Sequence, residues 1–154
     1  MRFSFIALLA GFILAGCGKS SNSPLPSNID TASKQPSTGR WYSVEQVDAG
    51  KLLFREHCAV CHGKNAEATP DWKTTNSAGQ YPPPPLNGSA HAWHHPIAAL
   101  KQVILKGGAL YGGQMPAWEG KLTNAEIYAL IASFQSYWSD DVYDRWLSIE
   151  QQSK

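Results

Sequence analysis

Near the middle of the chain, Cys58-Ala59-Val60-Cys61-His62 puts two thiols and an imidazole within five residues. Thiols two residues apart can grip a metal, cycle through a disulfide, or add to the two vinyl groups on one side of a porphyrin. The porphyrin use also accounts for the histidine. Directly after the second thiol, its imidazole comes to lie beneath the iron as a proximal ligand. The pentapeptide therefore reads as a haem c attachment site. A thioredoxin-like redox pair needs a βαβ context, and no parallel-strand pattern is visible. A zinc site lacks a second Cys pair, although histidines could complete a mixed site, and spacing alone leaves that open. A chance pentapeptide in a disulfide loop is the remaining reading.

An iron held from one face needs a ligand on the other. The sequence has two methionines, Met1 and Met115. Met115 sits in Gly112-Gly113-Gln114-Met115-Pro116-Ala117-Trp118. The glycines let the backbone run close to a ring, and Pro116 fixes the chain just after the sulfur. That setting suits a ligand better than core filler. A His/Met pair favours electron transfer, because the soft thioether raises the potential. His57 would reach the iron only by remodelling the loop. Trp118, three residues beyond Met115, is the aromatic expected nearest the ring.

These pieces resemble a class I c-type cytochrome, a monohaem electron-transfer domain, over Trp41 to about Trp138. The resemblance rests on their order. Gly50-Lys51-Leu52-Leu53-Phe54 precedes Cys58-Ala59-Val60-Cys61-His62-Gly63; Pro84-Pro85-Leu86-Asn87-Gly88, Met115-Pro116 and an aromatic-rich last helix follow. The resemblance implies an all-α, cytochrome c-like domain wrapped around one covalently bound haem c. It implies that the Pro84 carbonyl accepts the ring N–H of His62, a bond that orients the ligand. It also implies that the last helix crosses the first near Gly50, with aromatics filling the notch.

Four helices must position these groups. The first spans about Val44 to Glu56, with Ser43 and Gln46 as a capping box and Val47, Leu53 and Phe54 facing inward. The second spans Pro96 to about Lys106, with Pro96 in the first turn, His95 at the cap and an Ile97, Leu100, Ile104 stripe. Gly107 and Gly108 end it. The third spans about Asn124 to Tyr137 behind a Thr123/Glu126 box. Its inward face is Ile127, Leu130, Ile131, Phe134 and Trp138. The fourth, Asp140 to about Ser148, begins with acids that suit the helix dipole. Tyr143, Trp146 and Leu147 pack it back onto the domain. The polar 63–81 connection is long for a compact domain, and the run Tyr81 to Pro85 is expected to be extended.

The ends of the chain bear on location. Arg2 and the apolar run Phe3 to Leu14 read as a signal peptide, too short to span a bilayer comfortably. The run closes in Leu14-Ala15-Gly16-Cys17, which resembles a bacterial lipobox with Cys17 acylated. Residues 1–16 are thus expected as a lipoprotein signal peptide, 17–39 as the lipidated Cys and a flexible linker, and 40–154 as the cytochrome domain with an extra C-terminal helix. With the leader and Arg2 gone, basic and acidic residues balance. No basic stripe points to nucleic acid. Gly18 in place of an acidic residue suggests the outer membrane of a Gram-negative cell, with the domain facing the periplasm.

The expected function is single-electron transfer between larger redox proteins, donor and acceptor unidentified, with no catalysis of its own. An alternative is the electron-accepting haem subunit of a periplasmic oxidoreductase. Another is a metal-responsive module built on His91, His94 and His95. The six tryptophans are expected to pack against haem and between helices rather than form a ligand-stacking face. Cys61→Ala is expected to impair stable haem attachment. Haem retention on a denaturing gel measures this, and full covalent retention would contradict the assignment.

Overall fold

The computed structural model describes residues 39–154. The expected leader, Cys17 and nearly all of the linker lie outside the described residues. Within them the elements are helices α1 (Val44–His57), α2 (Ala59–His62), α3 (Ile97–Lys106), α4 (Asn124–Gln135) and α5 (Asp140–Gln152), plus two 3₁₀ turns, His91–His94 and Ala109–Tyr111. No strand occurs among the described residues, where Tyr81 and Gly113 form one isolated bridge. The fold is all-α, as expected.

Both capping boxes form. Ser43 Oγ accepts from the Gln46 amide at 3.2 Å, and the Ser43 amide donates to Gln46 Oε1 at 2.9 Å. Thr123 and Glu126 exchange the same two bonds at the start of α4. Each box satisfies helix-end donors that would otherwise lack partners.

α1 and α4 cross at Gly50. A Cβ there would lie 1.9 Å from the Ala129 carbonyl oxygen and 2.9 Å from Ser133 Cβ. The crossing is thus a contact of backbone against backbone, and the notch meets Ala129 and Ser133 rather than the expected aromatics. Val47 and Phe54 of α1 bury beside it, with Ile127, Leu130, Ile131 and Phe134 of α4. Leu53 packs on the edge of that core.

The helix limits differ from the sequence expectation at three places. Pro96 is the residue before α3, not its first member, and His95 is not the cap. Pro96 offers no side chain to cap with, so the Ile97 amide donates instead to Glu150 Oε2 of α5 at 2.8 Å. α4 stops at Gln135, and a tight turn carries the chain through Tyr137. α5 continues past Ser148 to Gln152, with Tyr143 and Trp146 buried. One further helix, the single turn α2, was not expected.

The chain before α1 is fastened to the α4–α5 corner. Arg40 donates to the carbonyls of Gln135 and Trp138 and to Asp140. Trp41 donates through its indole to Gln135 Oε1 at 2.7 Å and through its amide to the Tyr143 hydroxyl. Gly50→Ala is expected to cost about 3 kcal/mol or more, because the obstacle is backbone and cannot rotate away. Urea denaturation measures it, and a loss under about 1 kcal/mol would contradict the close crossing.

Candidate functional site

α2 gathers three of the candidate groups on one turn. The Cys58 amide donates to Phe54 O, closing α1, and Cys58 then caps α2. Cys61 and His62 lie at the far end of that turn. Gly63, at φ 76°, ends it. Neither thiol is in a disulfide; Cys61 is exposed and Cys58 half-buried. Burial, helped by the neighbouring Cys61, pushes the Cys58 thiol up to about 11.

His62 is 7% exposed, and its Nδ1 lies 3.0 Å from the Pro84 carbonyl oxygen. The proton therefore sits on Nδ1 and donates to Pro84, which leaves the Nε2 lone pair free. Burial pushes the imidazole below its ordinary pKa, outweighing the Pro84 bond that raises it. At neutral pH the ring is uncharged, the state in which it can bind iron.

The Pro84 segment is itself held. Leu86 and Asn87 donate to the Ala66 carbonyl at 2.8 and 3.2 Å. Trp138 donates through its indole to Leu86 O at 2.8 Å. Ala66 is fully buried, and both it and Ala68 have positive φ, 59° and 46°. The Ala68 amide returns to His62 O at 2.8 Å. The start of the 63–81 connection is therefore a tight cradle around His62.

Met115 is presented by the loop after α3. α3 ends at Gly107, whose φ of 80° and ψ of −179° belong to glycine. A Cβ there would lie 2.6 Å from Met115 O. The Gly108 amide donates to Met115 O at 2.9 Å, and the Trp118 amide to the Ile104 and Leu105 carbonyls at 3.1 and 3.2 Å. Met115 is half-buried against the core. Two links join this loop to the proximal side. The Tyr81 amide donates to Gly112 O at 2.8 Å, beside a Gln114–Gln80 side-chain bond. The Trp118 ring packs on His57, centroids 5.1 Å apart, next to Cys58.

The donor set fits a covalently held haem: two free thiols, a neutral imidazole oriented by a carbonyl, and a thioether on the loop after α3. The surroundings fit as well. Val60 of α2 is 88% exposed and Leu110 87%, and Tyr81 and Tyr111 are also exposed. Residues 45–132 match the family described as "Cytochrome C oxidase, cbb3-type, subunit III". The chain belongs to that family. It is a c-type cytochrome domain, an electron-transfer module that carries haem c.

Among the relatives of this cytochrome domain, the cbb3-type cytochrome c oxidase subunit FixP of Bradyrhizobium sp. (strain ORS 278) is 34% identical over 82 residues, 53% of this chain and 24% of its own. The subunit CcoP of Azospirillum brasilense is 34% identical over 84 residues, 54% of this chain and 26% of its own. The chain thus spans about a quarter of the length of these relatives. No solved structure matches it. The family match stops at residue 132, so α5 lies beyond it.

The three histidines do not gather into one ligand set. His91 stacks on Trp72 at 4.7 Å, His94 lies against Trp93 at 3.8 Å, and His91 and His95 meet edge to face at 5.4 Å. No group of three candidate metal ligands exists among the described residues. The metal-responsive alternative of the sequence analysis is therefore corrected: Trp72 and Trp93 engage His91 and His94, and although His91 and His95 touch, the three do not form one ligand set.

Sequence reading missed Glu150, the Gln80–Tyr81 link and the hydrogen-bonding role of the Trp138 indole. Trp138 was legible only as a core residue at helical spacing. Gly120 has a positive φ of 74° with open space around it. Gly120→Ala is expected to cost about 1 kcal/mol in backbone strain alone. Gly107→Ala is expected to cost about 2 kcal/mol more, because its Cβ meets the Met115 backbone. Urea denaturation of the haem-loaded protein compares them, and equal losses would contradict the role given to Gly107.

Proposed function

We propose that the chain is a class I monohaem cytochrome that relays single electrons to or from the subunits of a membrane oxidoreductase. Cys58 and Cys61 hold the haem covalently, His62 and Met115 ligate its iron, and Pro84 orients His62. The observation that carries this reading is the 3.0 Å contact between His62 Nδ1 and Pro84 O. A buried histidine locked in one tautomer, directly after two free thiols, has little other purpose.

The haem supplies the one-electron change. The protein's residues supply the rest. Pro84 fixes the imidazole plane and raises its donor strength. The Met115 thioether would be the iron's second protein ligand, and it would favour the reduced state. With that ligand in place the iron would have no open position for a substrate, which suits a carrier of electrons. Exposed Val60 and Leu110 offer an apolar contact of the kind transient redox partners use. The relatives' names favour oxidase subunits as those partners, with this domain as a haem subunit or a separate carrier feeding them.

Residues 1–16 act in this reading as a signal peptide, and Cys17 carries a lipid. Residues 17–39 then tie that lipid to the domain at 40–154 on the periplasmic side. Gly18 favours the outer membrane if the cell is Gram-negative. Among the described residues no helix is long and apolar enough to cross a membrane.

Met115→Ala tests the ligand set. Haem stays attached, the weak far-red ferric band disappears, and the potential falls by on the order of 0.1 V or more, within the roughly 0.8 V that axial ligands span. Spectroscopy and potentiometry read both. An unchanged potential would remove Met115 from the iron.

A further inference from the structure

The one part of the domain that lies wholly beyond the family match and carries a buried acid is α5. Glu150 is 9% exposed and sits among the core residues. Its Oε2 accepts the Ile97 amide at 2.8 Å, 53 residues away in sequence. One turn earlier, the Trp146 indole donates to His95 O at 3.0 Å, and Trp146 is 1% exposed. α5 thus fastens both residues that flank Pro96. α3 has no cap of its own, since Pro96 provides no side-chain acceptor. A carboxylate is the best available substitute, because it accepts strongly and its charge suits the positive end of the helix.

α3 is ten residues long, about 15 Å of stiff rod. Its other end holds the Met115 loop. The carbonyls of Ile104 and Leu105 accept from Trp118, and Leu105 O also accepts from Glu119. Gly107 abuts Met115 O, and Gly108 donates to it. The Met115 backbone therefore follows α3 wherever α3 sits. Leu100 and Ile104 bury one side of this helix. Apolar contacts resist its lifting away but resist sliding along its axis poorly, since they have no direction. The bond to Glu150 is directional and supplies that axial stop.

We infer that Glu150 is a positioning residue for the axial methionine: it fixes the start of α3, and α3 transmits that position to Met115. This rests on the reading of Met115 as an iron ligand. Losing the stop raises the population in which the sulfur is off the iron, without touching the haem or its attachment.

The test uses the full-length ferric holoprotein and the rate at which cyanide binds, which reports how often the sixth position opens. Glu150→Ala is expected to raise that rate about tenfold, as loss of a hydrogen bond to a charged group would. Glu150→Gln keeps an acceptor oxygen and falls between wild type and Glu150→Ala. If the alanine variant does not fold, the glutamine variant decides alone against wild type. Thr123→Ala, which removes a cap from α4 instead, lowers the denaturation midpoint but leaves the cyanide rate alone. In a Met115→Ala background, Glu150→Ala adds nothing. An unchanged rate in the Glu150 variants, an equal rise in Thr123→Ala, or a further rise on top of Met115→Ala each overturns the inference. If Met115→Ala itself fails to speed cyanide binding, the ligand assignment fails first and takes this role for Glu150 with it.

Discussion

The hydrogen bond from His62 to Pro84 places a demand on almost everything around it. A buried imidazole must stay neutral, keep one tautomer and hold one orientation, and a single carbonyl secures all three. That carbonyl must then be immobile. Proline has no backbone N–H, so the Pro82–Pro85 run has no backbone donors of its own to settle it. Its anchorage comes from the next residues, where Leu86 and Asn87 reach the carbonyl of buried Ala66 and Trp138 reaches Leu86. The left-handed backbone at Ala66 and Ala68 is strain tolerated to turn the chain beneath the ring.

The α1–α4 crossing serves the same end from the other direction. α1 delivers Cys58, and α4 leads into Trp138. With Gly50 pressed on the Ala129 backbone, the two helices cannot slide independently. The thiol end of the site and the tryptophan that steadies Pro84 are therefore parts of one rigid unit. Interiors packed this tightly transmit displacement rather than absorb it.

How much of this was legible depended on whether the physics was local. The capping boxes at Ser43 and Thr123, the helical stripes and the Cys58–His62 motif could be read, because each needs only residues close in sequence; the crossing at Gly50, whose partner Ala129 is distant, was reached by resemblance. The His62–Pro84 bond was reached by family resemblance, not from composition or spacing. The cap on α3 was misread at His95 because its true partner, Glu150, lies 53 residues away. Nothing local marks a glutamate near the chain's end as buried. The His91, His94 and His95 cluster misled for a related reason: proximity in sequence said nothing about Trp72 and Trp93, which take two of the rings.

Electron transfer rewards a site that changes little between its two states, and this fold steadies the His62 and Met115 segments from one region. Trp138, just past α4, steadies the Pro84 segment behind His62. Trp146 and Glu150, on α5, steady the start of α3, the helix that leads into the Met115 loop. Trp138 and Trp146 also touch, with centroids 6.1 Å apart, so the supports on the two sides lean on each other. A movement that loosened the methionine loop would have to disturb packing shared with the histidine side. Helix α5, which at first looks like a surplus addition, is then the piece that ties the Met115 loop to the His62 side through α3 and Trp138.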